Sequence, residues 1–195
     1  MLRYLTAGES HGQALVVIVE GLPAGMKVTA EDIQAELGRR RLGYGRGPRQ
    51  RFEQDEIVLI GGIRHGRTLG SPVAIEIKNS EWFRSDVWHE EMSPAPGATK
   101  KPLTQPRPGH ADLTGMQKYG FTDARDVLER ASARETAARV VAGALAKLLL
   151  KEIGVDILSH VTQMGSAKSE SNARPTIKDL PIVDESPVRE QLANL

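Results

Sequence analysis

Short apolar runs with glycine punctuation through the first 78 residues, followed by one long amphipathic helix after residue 130, predict an α+β chain. Leu2, Tyr4 and Thr6 alternate with other residues as a first strand, and Leu15 to Val19 is a β-branched run that reads as a second. Thr29 is placed to N-cap a helix with Asp32 three residues on; Ile33 and Leu37 would share its inner face, and the helix runs out in arginines. Ile57 to Ile60 is a third strand. In a fourth, Val73, Ile75 and Ile77 alternate with Ala74, Glu76 and Lys78, the pattern of a half-buried strand.

From Asn79 to about Lys118 no periodicity is sustained, and Pro94, Pro96, Pro102, Pro106 and Pro108 argue against long regular elements. A segment of that length inside a domain is expected to be functional or disordered. The long helix follows. Ser132 and Glu135 form a capping-box pattern at its start, Ala137, Val141, Ala144, Leu145 and Leu148 make its apolar stripe, and Gly154 is its stop. Val155 to Val161 reads as one more strand, and Ser166 to Leu195 is polar and weakly patterned. Residues 1–195 are read as a single domain.

Composition excludes several classes. The 195 residues contain no cysteine, which removes disulfide scaffolds, thiolate nucleophiles and Cys-type zinc sites and favours a reducing, cytoplasmic setting. Lys plus Arg number 26 against 25 Asp plus Glu, so a surface adapted throughout to nucleic acid is not expected. The apolar run Ala14 to Val19 is far short of the roughly 18 residues of a membrane span, and no membrane partner is expected.

Five stretches could carry chemistry. Gly8-Glu9-Ser10-His11-Gly12 superficially fits a nucleophile elbow, but a strand-like run follows it where an elbow requires a helix. His11 is left at a strand end, either as a proton carrier or as a turn histidine bonded to Glu9 or to backbone. Arg39, Arg40, Arg41, Arg46, Arg49 and Arg51 fall within 13 residues free of acids, interspersed with glycines, so guanidinium forks and close backbone approach favour a phosphorylated anion. A solvated face or an RNA contact patch is the other reading of that run. Arg64-His65-Gly66 resembles a phosphohistidine motif but leads into a strand, which favours a hairpin. Arg107-Pro108-Gly109-His110 holds a histidine on a proline-pinned backbone, suited to proton transfer or simply a loop histidine. Arg130 and Arg134 add positive charge where the long helix begins, a place that attracts anions, although an ordinary capped helix has the same look.

Taken together and in order, these segments resemble the chorismate synthase family: the Gly8–Gly12 motif running on to Glu20-Gly21-Leu22-Pro23, the arginine loop of residues 38–47, Gly61-Gly62-Ile63-Arg64-His65-Gly66, Arg107-Pro108-Gly109-His110-Ala111-Asp112, and residues 129–139. The resemblance implies a fold of helices and antiparallel sheets in a sandwich, assembled as a homotetramer. It implies the last step of the shikimate pathway, in which 5-enolpyruvylshikimate 3-phosphate loses phosphate and a ring proton by anti-1,4 elimination to give chorismate. Reduced FMN is required without net redox change. By the family pattern His11 manages the proton of the reduced flavin, and His110 is a general acid near the departing phosphate. Arg40, Arg46, Arg49, Arg107 and Arg134 hold phosphate and carboxylates. Arg130, Ala131 and Ser132 match an FMN-binding segment, and Arg40 and Arg46 lie where NADPH binding is ascribed. The family enzyme is longer, and its C-terminal signature has no counterpart before Leu195, so an N-terminal portion is expected. The competing expectations are an inactive fragment and a basic RNA-binding domain.

Overall fold

In chain order the elements are β1 (Arg3–Gly8), β2 (Ala14–Glu20), α1 (Ala30–Arg39), β3 (Ile57–Gly61), β4 (Ile63–Arg64), β5 (Arg67–Thr68), β6 (Val73–Lys78), α2 (Asp86–Glu91), α3 (Asp112–Tyr119), α4 (Arg125–Ala131), α5 (Thr136–Glu152), β7 (Gln163–Met164) and β8 (Ala167–Lys168). The computed structural model describes residues 1–42, 55–84, 86–97, 99–159, 163–164 and 167–168. The residues Arg46, Arg49 and Arg51, and most of the polar stretch from Ser166 onward, lie outside these.

Four strands make one antiparallel sheet in the order β1-β2-β6-β3. The period of two puts Leu15, Val17 and Val19 of β2 directly opposite Ile77, Ile75 and Val73 of β6, and all six side chains are at most 1% exposed. Burying each is worth about 1.5–3 kcal/mol. The helices α1 and α5 cover this face: Ile33 and Leu37 of α1 join Ala137, Val141, Ala144 and Leu145 of α5 in the same core, with Leu148 packed at its margin. Leu5, Ile18, Val58 and Ile60 point the other way and are exposed. The arrangement is α+β, with a helical layer on an antiparallel sheet.

The start of α1 follows the sequence reading. The Asp32 backbone N–H donates to Thr29 Oγ1 at 3.2 Å, and the Thr29 N–H donates to Asp32 Oδ2 at 3.0 Å, a reciprocal capping box. Arg64 and His65 sit in the β4–β5 hairpin, as expected, with His65 at φ 50° in its turn. Gly154, at φ 74°, ends α5.

Three expectations are corrected. The segment from Asn79 to Lys118 is not wholly irregular: it holds a 3₁₀ turn at Trp82–Arg84, then α2, and nearly all of α3, the last starting directly after the proline-rich stretch. The expected strand Val155 to Val161 is not a strand over residues 155–159, the part that is described; the chain pairs later, in the β7–β8 hairpin. The Ser132–Glu135 capping box does not form, for Glu135 is drawn to other partners described below.

Two glycines test these constraints in opposite directions. At Gly8, φ is +89° and an added Cβ would lie 2.3 Å from the Ala14 carbonyl oxygen, whereas at Gly143, on the exposed side of α5, it would meet nothing within 4 Å. Gly8→Ala is expected to destabilise the chain by about 2 kcal/mol or more. Gly143→Ala is expected to stabilise it by about 0.5–1 kcal/mol, because alanine loses less backbone entropy in a helix. Urea unfolding of the two variants checks both signs.

Candidate active site

The turn between β1 and β2 carries Ser10 and His11, and α4 grips it from the side. The Ser10 backbone N–H donates to the Glu129 carbonyl at 3.0 Å, the His11 N–H donates to Glu129 Oε2 at 2.7 Å, and His11 Nδ1 lies 2.8 Å from Glu129 Oε1. The expected local partner, Glu9, is therefore not the one used by the imidazole. The His11 ring stacks on Trp88 of α2 with centroids 4.4 Å apart, and the Arg125 guanidinium lies over the same indole at 5.4 Å. Buried Asn79, just beyond β6, donates from Nδ2 to the Gly12 carbonyl at 2.8 Å. Ser10 is fully buried in a strand–turn–strand, which disposes of the nucleophile-elbow reading.

The break between α4 and α5 gathers the arginines. Ser132 is extended there, at φ −65° and ψ 148°, and its Oγ accepts weakly from the Arg134 N–H at 3.4 Å. A 3₁₀ turn at Ala133–Glu135 then leads into α5. Glu135 turns inward and accepts from Thr6 Oγ1 at 2.7 Å, Arg139 Nε at 2.9 Å and Arg130 Nη2 at 3.3 Å. Burial pushes the Glu135 carboxyl upward, but its bonds to Arg139 and Thr6 and the charges of Arg139 and Arg130 outweigh that and hold it below the usual range. Arg130 also donates to the carbonyls of Thr6 and Gly8, tying α4 to β1. Arg134 is 4% exposed and donates to the Lys78 carbonyl at 2.7 Å. Arg40 reaches the same junction from α1: Nη1 pairs with buried Asp55 at 2.7 Å, while Nη2 meets the Ala133 carbonyl at 3.2 Å and Thr136 Oγ1 at 3.3 Å.

A second histidine is held in a parallel way. Asp112, at the start of α3 and 1% exposed, accepts from the Arg107 backbone N–H at 3.1 Å and from its Nε at 2.8 Å. It also pairs with His110 Nδ1, and Arg107 Nη2 lies 3.1 Å from His110 Nε2. The Arg107 hydrogen bond holds the Asp112 carboxyl far below the usual carboxylate range, against the opposing effect of burial. The adjoining Ala111 lines a groove of about 490 Å³ between α3 and α4, walled by Tyr119, Phe121, Val127 and Ala131, with Lys118 and Arg130 on its lining. The helices approach closely at its floor, where a Cβ on Gly115 would be 2.4 Å from Val127 Cγ1.

The structure thus brings His11, Arg40, Arg130, Ala131, Ser132 and Arg134 to the α4–α5 junction, and His110 with Arg107 to the N-terminus of α3, joined to it through the groove. Sequence reasoning assigned no role to Glu129, Asp112, Asp55 or Trp88. Asp112 and Glu129 lie inside the motifs already noted; Asp112 meets Arg107 and His110 of its own motif, whereas only the long-range fold shows that Glu129 meets His11, 118 residues away.

Residues 2–192 match the family model described as chorismate synthase. Over 97% of the chain the sequence is 59% identical to a chorismate synthase of Thermobifida fusca, 58% to one of Salinispora tropica and 57% to one of Nocardia farcinica, covering 50%, 50% and 48% of those proteins. A crystal structure of chorismate synthase superposes with a TM-score of 0.65 at 41% identity, over 87% of this chain and 40% of that one. The chain belongs to the chorismate synthase family and spans about half the length of the curated relatives it matches.

Proposed function

We propose that residues 1–195 act as a single domain, the N-terminal portion of a chorismate synthase. Its reaction is the anti-1,4 elimination of phosphate from 5-enolpyruvylshikimate 3-phosphate, a lyase step of aromatic amino acid biosynthesis carried out by a cytoplasmic homotetramer. The observation that carries this reading is the pair of imidazoles, each with Nδ1 on a buried carboxylate, His11 beside the arginine-rich α4–α5 junction and His110 with Arg107 at the start of α3. One histidine, His110, is the general acid toward the departing phosphate, with Arg107 beside it to favour the dianion. Arg134, Arg40, Arg46 and Arg49 hold phosphate and carboxylates through charge-assisted bonds. His11 moves a proton at Nε2, the nitrogen that Glu129 does not engage.

The residues present fit reduced FMN. The α3–α4 groove offers apolar and aromatic walls for a ring system, with Lys118 and Arg130 on its lining as donors to a phosphate and Asp126 as the one acid among them. Arg130, Ala131 and Ser132 would hold it, with Arg40 and Arg46 serving NADPH. Bound reduced flavin supplies electron density that eases loss of phosphate from an otherwise unfavourable elimination.

Anaerobic titration of the chain with reduced FMN tests the reading, saturable change in flavin absorbance being expected. Salt-sensitive RNA binding with no flavin response would overturn it in favour of a polyanion-binding module. In an enzyme completed by the second half that the relatives have, His110→Ala is expected to lower kcat roughly 100-fold or more with little change in substrate affinity. Steady-state kinetics with the phosphorylated substrate measures both.

The arginines separate a specific clamp from a diffuse basic surface. Arg46→Ala and Arg134→Ala are each expected to weaken substrate binding about tenfold or more, whereas Arg51→Ala changes it less than about threefold. Lysine at the first two positions restores only part, because an ammonium lacks the bidentate fork. Calorimetry at two ionic strengths distinguishes this from equal, salt-sensitive losses at all three.

A further inference from the structure

We propose that Glu129 is the positioning residue of His11, fixing its imidazole in the tautomer that carries the proton on Nδ1 and keeps Nε2 available for proton exchange. The assignment deepens the reading of His11 as the proton-handling group and rests on it. One carboxylate makes two bonds to a single residue: Oε2 takes the His11 backbone N–H at 2.7 Å, and Oε1 lies 2.8 Å from Nδ1. Main chain and ring are therefore held by the same group, which removes the freedom of the ring about both of its side-chain torsions. A carboxylate accepts and never donates when ionised, so Nδ1 must be the donor in this pair.

The surroundings hold that carboxylate in place. The Glu129 side chain is 4% exposed, and Arg125 Nη1 lies 3.8 Å from Oε1. Arg125 also covers the indole of Trp88, whose ring stacks on His11, so ring, carboxylate and guanidinium brace one another. A merely structural clamp on the turn does not need the ring bond, because the Ser10 N–H to Glu129 carbonyl bond and the Asn79 bond to Gly12 already hold the backbone. Among the described residues outside the Arg107–Asp112 segment, no other histidine meets a buried carboxylate: the one facing His89 Nδ1 is exposed Asp86, at 3.9 Å. His89 Nε2 meets the Trp82 carbonyl and His65 occupies an exposed hairpin turn. His110 has one, and it too is a residue assigned to proton transfer.

The test is a long-range proton–nitrogen correlation spectrum of the ¹⁵N-labelled chain, with His11→Asn used to assign the His11 signals. The proton is expected on Nδ1 in the unsubstituted chain. Glu129→Gln, whose amide can donate as well as accept, is expected to raise the Nε2-protonated share several-fold, and Glu129→Asp to restore most of the original ratio. In the completed enzyme Glu129→Gln should lower kcat roughly tenfold or more with KM changed less than about threefold, the pattern of a lost tautomer rather than lost binding. An unsubstituted chain with its His11 proton on Nε2 overturns the proposal, even if the glutamine variant does not fold. So does a Glu129→Gln enzyme whose kcat stays within about twofold. Absence of chorismate formation by the unsubstituted completed enzyme would instead remove the functional reading, while the spectrum still decides the tautomer.

Discussion

A carboxylate taken out of water must be met by cations and donors, and the site is organised around four that are. Asp55, Asp112, Glu129 and Glu135 are 1–4% exposed, and each holds a different candidate: Arg40, His110 with Arg107, His11, and Arg130. Desolvation makes an unpaired member of such a set costly, of the order of 3–5 kcal/mol where one partner is lost. The same expense gives the pairs their use. Each cation or imidazole is pinned by a group that cannot turn away to solvent, so little side-chain entropy remains to be lost when a ligand arrives.

This requirement also explains why the chain breaks between α4 and α5. A continuous helix through residues 125–152 would hold Glu135 in its interior, on a bearing set by the helical repeat. The break at extended Ser132 lets it face β1, where Thr6, 129 residues earlier, donates to it. Arg130 then spans from α4 to the Thr6 and Gly8 carbonyls, and the end of β1 becomes one wall of the site. Helix packing and site assembly are thus one event: α5 presses on β2 and α1 through its apolar stripe, and its N-terminal junction is carried into contact with the β1–β2 turn and the end of α1.

The segment between β6 and α4, poor in periodicity, contributes side chains at three points, the first being Asn79, which holds the Gly12 carbonyl. Trp88 covers His11, and the proline-pinned Arg107–Asp112 stretch delivers a second imidazole beside the groove. Short helices such as α2 and α3 bury little of their own surface, so their positions follow from what they touch, not from intrinsic helix stability.

The sequence by itself determined those features that depend on near neighbours. The alternation in β6, the Thr29–Asp32 cap, the apolar stripe of α5 and the glycine that ends it are set within a few residues, and each is found where the pattern places it. The motif histidines and arginines stood out in the sequence as candidates, each with a turn, loop or helix-cap reading beside the functional one. Tertiary structure decided which partners they have. His11 pairs with Glu129 across 118 residues and not with adjacent Glu9, and Arg40 finds Asp55 and the α5 start. It also decided that Ser132 and Glu135 do not close a capping box, and that residues 155–159 do not continue as a strand. The physical reason is that local rules count the bonds a residue can make with its neighbours, whereas a buried carboxylate is committed by desolvation to whichever donors the fold carries to it.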